Sequence, residues 1–399
     1  MGWNWACALS EHADLHILTQ HDNGNKERID RLRAQGLGLH PSATIHYLPA
    51  FLPPADDPDR ARIGASPFRY YRAYRRWQWM AFLHAQKIVA DNQIDIVHHL
   101  NMTGYREPGY LWLLDRPFVI GPVGGFLNYP WSYMPVLRPA ERLRQSARSI
   151  VNTLTMRLDR RVARALRTAA VVLAATSADA EMMRRCYGLK PLVTGDAACG
   201  PMPDRPRRIA GNSLTLVSSG LHIARKSLPV GLHALALLGP DVPWTLHLLG
   251  EGPETPHLRG LADGLGITER IVWHGWRPRA EAIEIMKDAD IFLFPSLLEG
   301  SATVVMEALS LGLPVVCFDC CGMHDSITPD CGIAIPTTPA STAASRFAVA
   351  IQALWRSPET REKLADGARA RAQELSYPAR AAQVAHLYQS LVGAAGHSP

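Results

Sequence analysis

The sequence has no run of about twenty apolar residues, so no segment reads as a membrane-crossing helix. Its N-terminus lacks the basic-then-apolar form of a signal peptide. Cysteine is sparse, with seven among 399 residues. That odd number, without framework spacing, argues for reduced thiols in a cytosolic setting rather than a disulfide scaffold. Cys320, Cys321 and Cys331 have no second Cys or His pair at a suitable spacing, so no metal site is expected. Carboxylates are outnumbered, 36 against 42 lysines and arginines, for a formal charge of +6. The deficit is local: the stretch Arg138 to Arg167 sets nine arginines against Glu141 and Asp159. No recognised nucleic-acid-binding motif accompanies that charge, and nucleic acid is not the expected partner. What is present is apolar material, 47% of the chain, enough for well-formed cores. At this length two domains are expected.

The stretch from Asp290 to Val316 organises the rest. Asp290 to Phe294 is a short apolar run closed by Pro295 and Ser296, which suits a buried parallel strand. Glu299-Gly300-Ser301 reads as a turn. From Ala302 the pattern is helical, with Val305, Ala308 and Leu309 on one face, and Gly312 marks the stop. Val315 to Phe318 is a second buried run. The loop leaves the carboxyl end of a strand, where open α/β sheets bind ligands. The amides of Ala302, Thr303 and Val304 open the helix and form an anion site. Glu307 stands about one turn further in, with seven residues between it and Glu299. Together they fit a sugar nucleotide, with amides on the diphosphate and a carboxylate on the ribose.

These residues, with Asp290-Ile291-Phe292-Leu293-Phe294-Pro295-Ser296 before them and Gly312-Leu313-Pro314-Val315-Val316 after them, resemble the donor-site signature of the retaining family 4 glycosyltransferases (glycosyl transferases group 1). That resemblance implies an α/β chain of the GT-B fold, two Rossmann-like domains facing across a cleft. It covers essentially the whole chain, strongly over residues 214–336 and weakly before residue 95.

Other segments carry it further. Leu214 to Gly220 reads as a strand and turn, followed by Arg225 and Lys226. Two cations at the carboxyl end of a strand offset charge on a leaving diphosphate, and the pair is similar to the family's diphosphate-binding residues. Ser227 stands where the family commonly has glycine. Gly250-Glu251-Gly252-Pro253 matches the family's Gly-x-Gly-Pro turn. The resemblance implies that backbone at Trp276 and Arg277 holds the base and that Glu299 contacts sugar hydroxyls near the reacting carbon. It also implies a cofactor-free enzyme, because the two cations replace a metal at the leaving group.

The first domain is expected over 1–198, a linker over 199–212 and the donor domain over 213–375, with a C-terminal helix over 378–392 returning to the first domain. The start departs from the pattern. Gly2 to His12 reads as a helix and Asp14 to Thr19 as a strand, whereas a doubly wound domain opens with a strand and a glycine-rich turn. That first strand is missing from the sequence as read, so truncation is one expectation and a catalytically impaired sugar-nucleotide binder is the alternative reading. Phe51 to Arg62 reads as a loop. Phe68 to Val89 reads as a helix dense in rings and arginines, with aromatic anchors on the core as the favoured reading over a lipid-facing surface. Asp95 to Leu100 is a strand, and because neighbours on a strand face opposite ways, one of His98 and His99 can face the cleft; His99 is the choice. The strand Pro117 to Gly121 leads into Gly121-Pro122-Val123-Gly124-Gly125, similar to a cleft-lining segment of the family, and Gly124 and Gly125 allow close backbone approach. Pro139 to Arg167 reads as one or two helices whose arginines cannot all pair internally; a solvated face and docking on anionic lipid fit equally.

The reading is a retaining glycosyltransferase that moves a sugar from a UDP- or GDP-linked donor to an envelope glycan or lipid-linked acceptor. Its expected place is the cytoplasm, peripheral to the inner face of the cell membrane. A nucleotide-sugar epimerase or a phosphorylase on the same fold stays open.

Overall fold

The computed structural model describes residues 2–21, 24–53, 57, 59–60, 66–100, 102–203 and 213–395. The first half runs α1 (Gly2–Ser10), β1 (His16–His21), α2 (Asn25–Ala34), β2 (Thr44–Pro49), α3 (Pro67–Asp91), β3 (Val97–His99), β4 (Phe118–Val123), α4 (Pro139–Leu158), α5 (Arg160–Thr168), β5 (Val171–Ala174), α6 (Ser177–Tyr187) and β6 (Leu192–Val193). The second half runs β7 (Leu214–Ser219), α7 (Leu228–Ala236), β8 (Trp244–Leu249), α8 (Thr255–Gly264), β9 (Ile271–Gly275), α9 (Arg279–Lys287), β10 (Ile291–Phe294), α10 (Thr303–Ser310), β11 (Val315–Phe318), α11 (Cys321–Ser326), β12 (Gly332–Ile335), α12 (Ala343–Arg356), α13 (Pro358–Glu374) and α14 (Tyr377–Ala395).

The second half forms a six-stranded parallel sheet in the order β12-β11-β10-β7-β8-β9. Its strands are apolar on both faces because helices cover both. Leu214, Leu216, Ile291 and Leu293 point into a core shared with α7, α8 and α12. Val217, Phe292 and Phe294 point the other way, into a core shared with α9, α10 and α13. The chain order reverses between the neighbours β7 and β10, so a crevice opens at their carboxyl ends.

The first half is not one sheet. β1 and β2 pair as a parallel ribbon, and β3-β4-β5-β6 form a separate parallel sheet. In a doubly wound order the first strand lies between the second and fourth. Here those are β1 and β3, and no described strand occupies that place. The four-stranded sheet buries Phe118, Ile120 and Val172 against α4, α5 and α6. Its other face buries Val119 and Leu173 against Trp5 and Leu9 of α1 and Tyr377, Ala381 and Val384 of α14.

The structure sharpens some local expectations and corrects others. Gly121 lies inside β4, and the turn opens only at Gly124. The basic stretch is two helices, because Asp159 ends α4 and caps α5, its Oδ1 accepting from the amides of Arg161 (2.9 Å) and Val162 (3.2 Å). On α3, Tyr74 and Phe82 are buried as core anchors, but Phe68 and Trp79 face outward. Residues 204–212 of the expected linker and 54–56, 58, 61 and 62 of the expected loop lie outside the described residues.

The halves meet through specific contacts. Tyr133 and Met134 join the core of the second half, and the Tyr133 hydroxyl donates to the Thr337 carbonyl (2.7 Å). The amide of Ser177 donates to the Asp325 carboxylate (2.8 Å).

Candidate functional site

The crevice is built by two turns, one after β7 and one after β10. Gly220 closes β7 with φ 143°, and Gly250 closes β8 with φ 103°, both in the region that favours glycine. A Cβ on Gly250 would stand 2.1 Å from the Gly220 carbonyl oxygen, so these two turns stack backbone on backbone. A cavity there is lined by Ser218, Ser219, Gly220, His222, Lys226 and Phe294.

Arg225 and Lys226 form a tight turn that aims both cations at the loop after β10. Lys226 Nζ lies 2.8 Å from a Glu299 oxygen, and Arg225 Nη1 lies 3.7 Å from the other. The Lys226 and Glu299 side chains are only 12% and 10% exposed, so this pair is largely out of water. Burial pushes the Lys226 ammonium below its ordinary value, against the pull of Glu299. Lys226 also lies over the Phe294 ring, 4.7 Å from its centroid. The Ser296 hydroxyl donates to Glu299 (2.8 Å), and Arg225 donates to the Leu298 carbonyl (3.2 Å), which pins the loop.

The loop then enters α10. Ala302 is the residue before its first turn and supplies no side-chain cap. The first-turn amides of Thr303 and Val304 therefore have no intrahelical acceptor, which makes them an anion site. Glu307 projects from the second turn, mostly buried, and accepts from Arg279 Nε (2.7 Å) on α9. The Ser301 amide is already engaged: it donates to Asp196 Oδ1 (2.7 Å), 105 residues away in sequence. Asp196 thus brings a carboxylate from the first half against the loop.

Gly220 and Lys226 line the cavity, Arg225 and Lys226 meet Glu299, and Ser301, Ala302, Thr303 and Val304 lead from Glu299 into the helix that carries Glu307. Trp276 follows β9, 65% exposed, and Arg277 lies 3.8 Å from Glu281. His99 is not brought to this group. It is buried among Gln78 and Gly109, where a Cβ on Gly109 would come within 2.9 Å of its ring. Its neighbour His98 is also engaged, contacting the Tyr388 hydroxyl (2.5 Å) and the Gly121 carbonyl (2.7 Å); burial pushes its imidazole down to about 4. Gly124 is buried, its amide donating to the Thr103 carbonyl (2.7 Å), and Gly125 is exposed with φ 89°. Asp179 holds this turn, its Oδ1 accepting from the Phe126 amide (3.0 Å).

Sequence reasoning missed Asp196, His222 and Arg279. Nothing local marks Asp196, because its partner lies across the molecule. His222 was legible only as part of the turn; it is buried, with Nδ1 2.9 Å from Thr255 Oγ1. Asp288 and Asp290 have an Asp-x-Asp spacing, but Asp290 accepts from the Thr215 amide (2.8 Å) ahead of β10, at the edge opposite the crevice.

Residues 204–371 match the family described as Glycosyl transferases group 1. The chain is similar to the lipopolysaccharide 1,6-galactosyltransferase of Salmonella typhimurium, 33% identical over 22% of this chain and 25% of that protein. It is also similar to a putative colanic acid biosynthesis glycosyltransferase of Escherichia coli, 29% identical over 36% of this chain and 37% of that protein. These alignments span well under two thirds of either relative's length. Over its whole length the fold is that of a lipopolysaccharide outer core galactosyltransferase solved without ligand, with a TM-score of 0.59 at 13% identity, covering 94% of this chain and 99% of that one. The architecture is GT-B.

Proposed function

We propose that this protein is a retaining glycosyltransferase that uses a nucleotide-diphosphate sugar. The observation that carries this reading is the convergence of Arg225, Lys226 and the α10 amides at the reversal of strand order between β7 and β10. A diphosphate entering there exchanges for Glu299 as the partner of the two cations. Charge that develops on the departing diphosphate is met by groups already in place and mostly dry, where they act most strongly. Glu299, released from Lys226, takes sugar hydroxyls, and Glu307 takes the ribose in place of Arg279. Trp276 and Arg277 flank the base. The cations do the work of a metal at the leaving group, so none is required. The donor is UDP- or GDP-linked, and the acceptor is an envelope glycan or a lipid-linked saccharide, in keeping with the lipopolysaccharide and colanic acid named for the two relatives. The site of action is the cytoplasmic face of the membrane.

One observation favours a second reading, a sugar-nucleotide binder with impaired transfer: no described strand joins β1 to β3, so the first half presents a divided sheet beside the crevice. Transfer separates the two. The protein is incubated with labelled UDP- and GDP-sugars and membrane-extracted glycolipid, and the product's anomeric configuration is read by proton NMR. The α-anomer of an α-linked donor is expected in the product. A β-linked product contradicts retention, and nucleotide binding without product supports the impaired reading.

A further inference from the structure

The helix α4 is built inside out. Its buried face carries Gln145, Ser149 and Asn152. Asn152 is a hub there, accepting from the Tyr105 hydroxyl (2.9 Å) and from Arg106 (2.9 Å). Its opposite face carries Leu143, Ile150, Val151, Leu154 and Leu158, all exposed, with Leu143 at 73% and Leu158 at 70%. Their spacing places them in one stripe, about 23 Å long at the rise of an α-helix. A soluble helix normally presents these faces the other way round, with its apolar stripe to the core. Trp131 and Val136, just before the helix, are exposed as well.

The charge around the stripe is of one sign. Arg142, Arg157, Arg160, Arg164 and Arg167 are exposed and form no ion pair among the described residues. Glu141 and Asp159, the carboxylates of this stretch, are both partly buried, and Asp159 is spent on the α5 cap. By the helical step of about 100° per residue, Arg144 and Arg157 border the stripe on its two sides. An apolar face flanked by arginines is the form of a helix lying in the plane of an interface. A sheet of negative headgroups over an apolar interior meets both features at once.

We propose that α4 docks the protein on an anionic lipid bilayer, with its Leu143 to Leu158 stripe in the acyl boundary and the exposed arginines beside it, Arg144, Arg157 and Arg160, on the headgroups. This deepens the reading above and rests on its membrane-borne acceptor; it goes beyond surface charge by assigning the inserting residues.

The test is flotation of the full chain, without nucleotide sugar, on vesicles of phosphatidylglycerol and phosphatidylethanolamine and on vesicles of phosphatidylcholine alone. Wild type is expected to bind the anionic vesicles at least about tenfold tighter. Ile150→Asp/Leu154→Asp is expected to lose at least about tenfold, since two large aliphatic side chains leave the acyl boundary. Arg157→Gln/Arg160→Gln is expected to weaken binding several-fold, and salt raised from about 0.1 M to about 1 M does the same by shrinking the screening length from about 10 Å to about 3 Å. Leu154→Trp, a conservative variant at the same exposed position, keeps wild-type binding. Wild type that ignores anionic vesicles, or an aspartate double variant that binds as well as wild type, overturns the proposal. So does a lipid-free dimer that the aspartate variant turns into a monomer, because a second copy then covers the stripe. Nucleotide binding is read separately by thermal shift, so loss of one leaves the other standing.

Discussion

Lys226 and Glu299 form a largely buried ion pair, and the first half has a buried carboxyl of its own in Asp179. That carboxyl is buried, and burial raises it from 3.8 to about 6 despite hydrogen bonds from Thr176 Oγ1 (2.7 Å) and the Phe126 amide. The folded state therefore holds its proton more tightly than the unfolded chain. The stability this contributes is full below pH 3.8 and is lost as pH rises through about 6, amounting to about 3 kcal/mol for a shift of that size. Asp179→Asn removes the titration and keeps the shape. Chemical denaturation at pH 4 and pH 7 should show the gap in stability between wild type and variant moving by up to about 3 kcal/mol in that direction; a constant gap rejects the assignment. At this scale the sequence was partly legible. Arg225, Lys226 and Glu299 were named from their places after strand ends together with the family resemblance those segments carry. The burial of His99 was not legible, because alternation along a strand tells which side a residue takes but not what covers that side, and here the ring is enclosed beside Gly109. Asp196 carried no local signal at all.

At the scale of elements, the site depends on turns that fit together only as glycine. Gly250 combines φ 103° with a carbonyl where its Cβ would be. Gly250→Ala should cost about 2 kcal/mol or more from the strained backbone alone, with the Gly220 turn displaced and nucleotide binding weakened along with it. A melting curve and a nucleotide titration check this; an unchanged melt would mean the turns shift freely. Strand positions in the second half were legible to within a residue or two, because buried parallel strands are short apolar runs bounded by glycine and proline. Val315–Phe318 and Leu214–Ser219 are where the sequence puts them. The helix α4 shows the opposite case. A helix was expected there, but which face turns inward was not legible, since the usual rule puts leucines inside and this helix puts Gln145 and Asn152 there.

For the whole molecule, two domains were expected from length, and the GT-B architecture was what the resemblance of the donor-site stretch implied. The division of the first half into two sheets was foreshadowed by a helix opening the chain. Contacts between the halves, such as Tyr133 to Thr337 and Asp196 to Ser301, join residues far apart in sequence and left no trace in it. The central claim is that the crevice between β7 and β10 binds a nucleoside diphosphate through Lys226 and Glu307. It is tested most directly by thermal shift with UDP and GDP on wild type, Lys226→Ala and Glu307→Ala. At a hundred times the dissociation constant, a ligand adds about 2.7 kcal/mol of stability, a rise of several degrees. The account predicts that one of the two nucleotides raises the wild-type melt and that both substitutions abolish the rise. A rise that survives both substitutions, or none with either nucleotide, contradicts it.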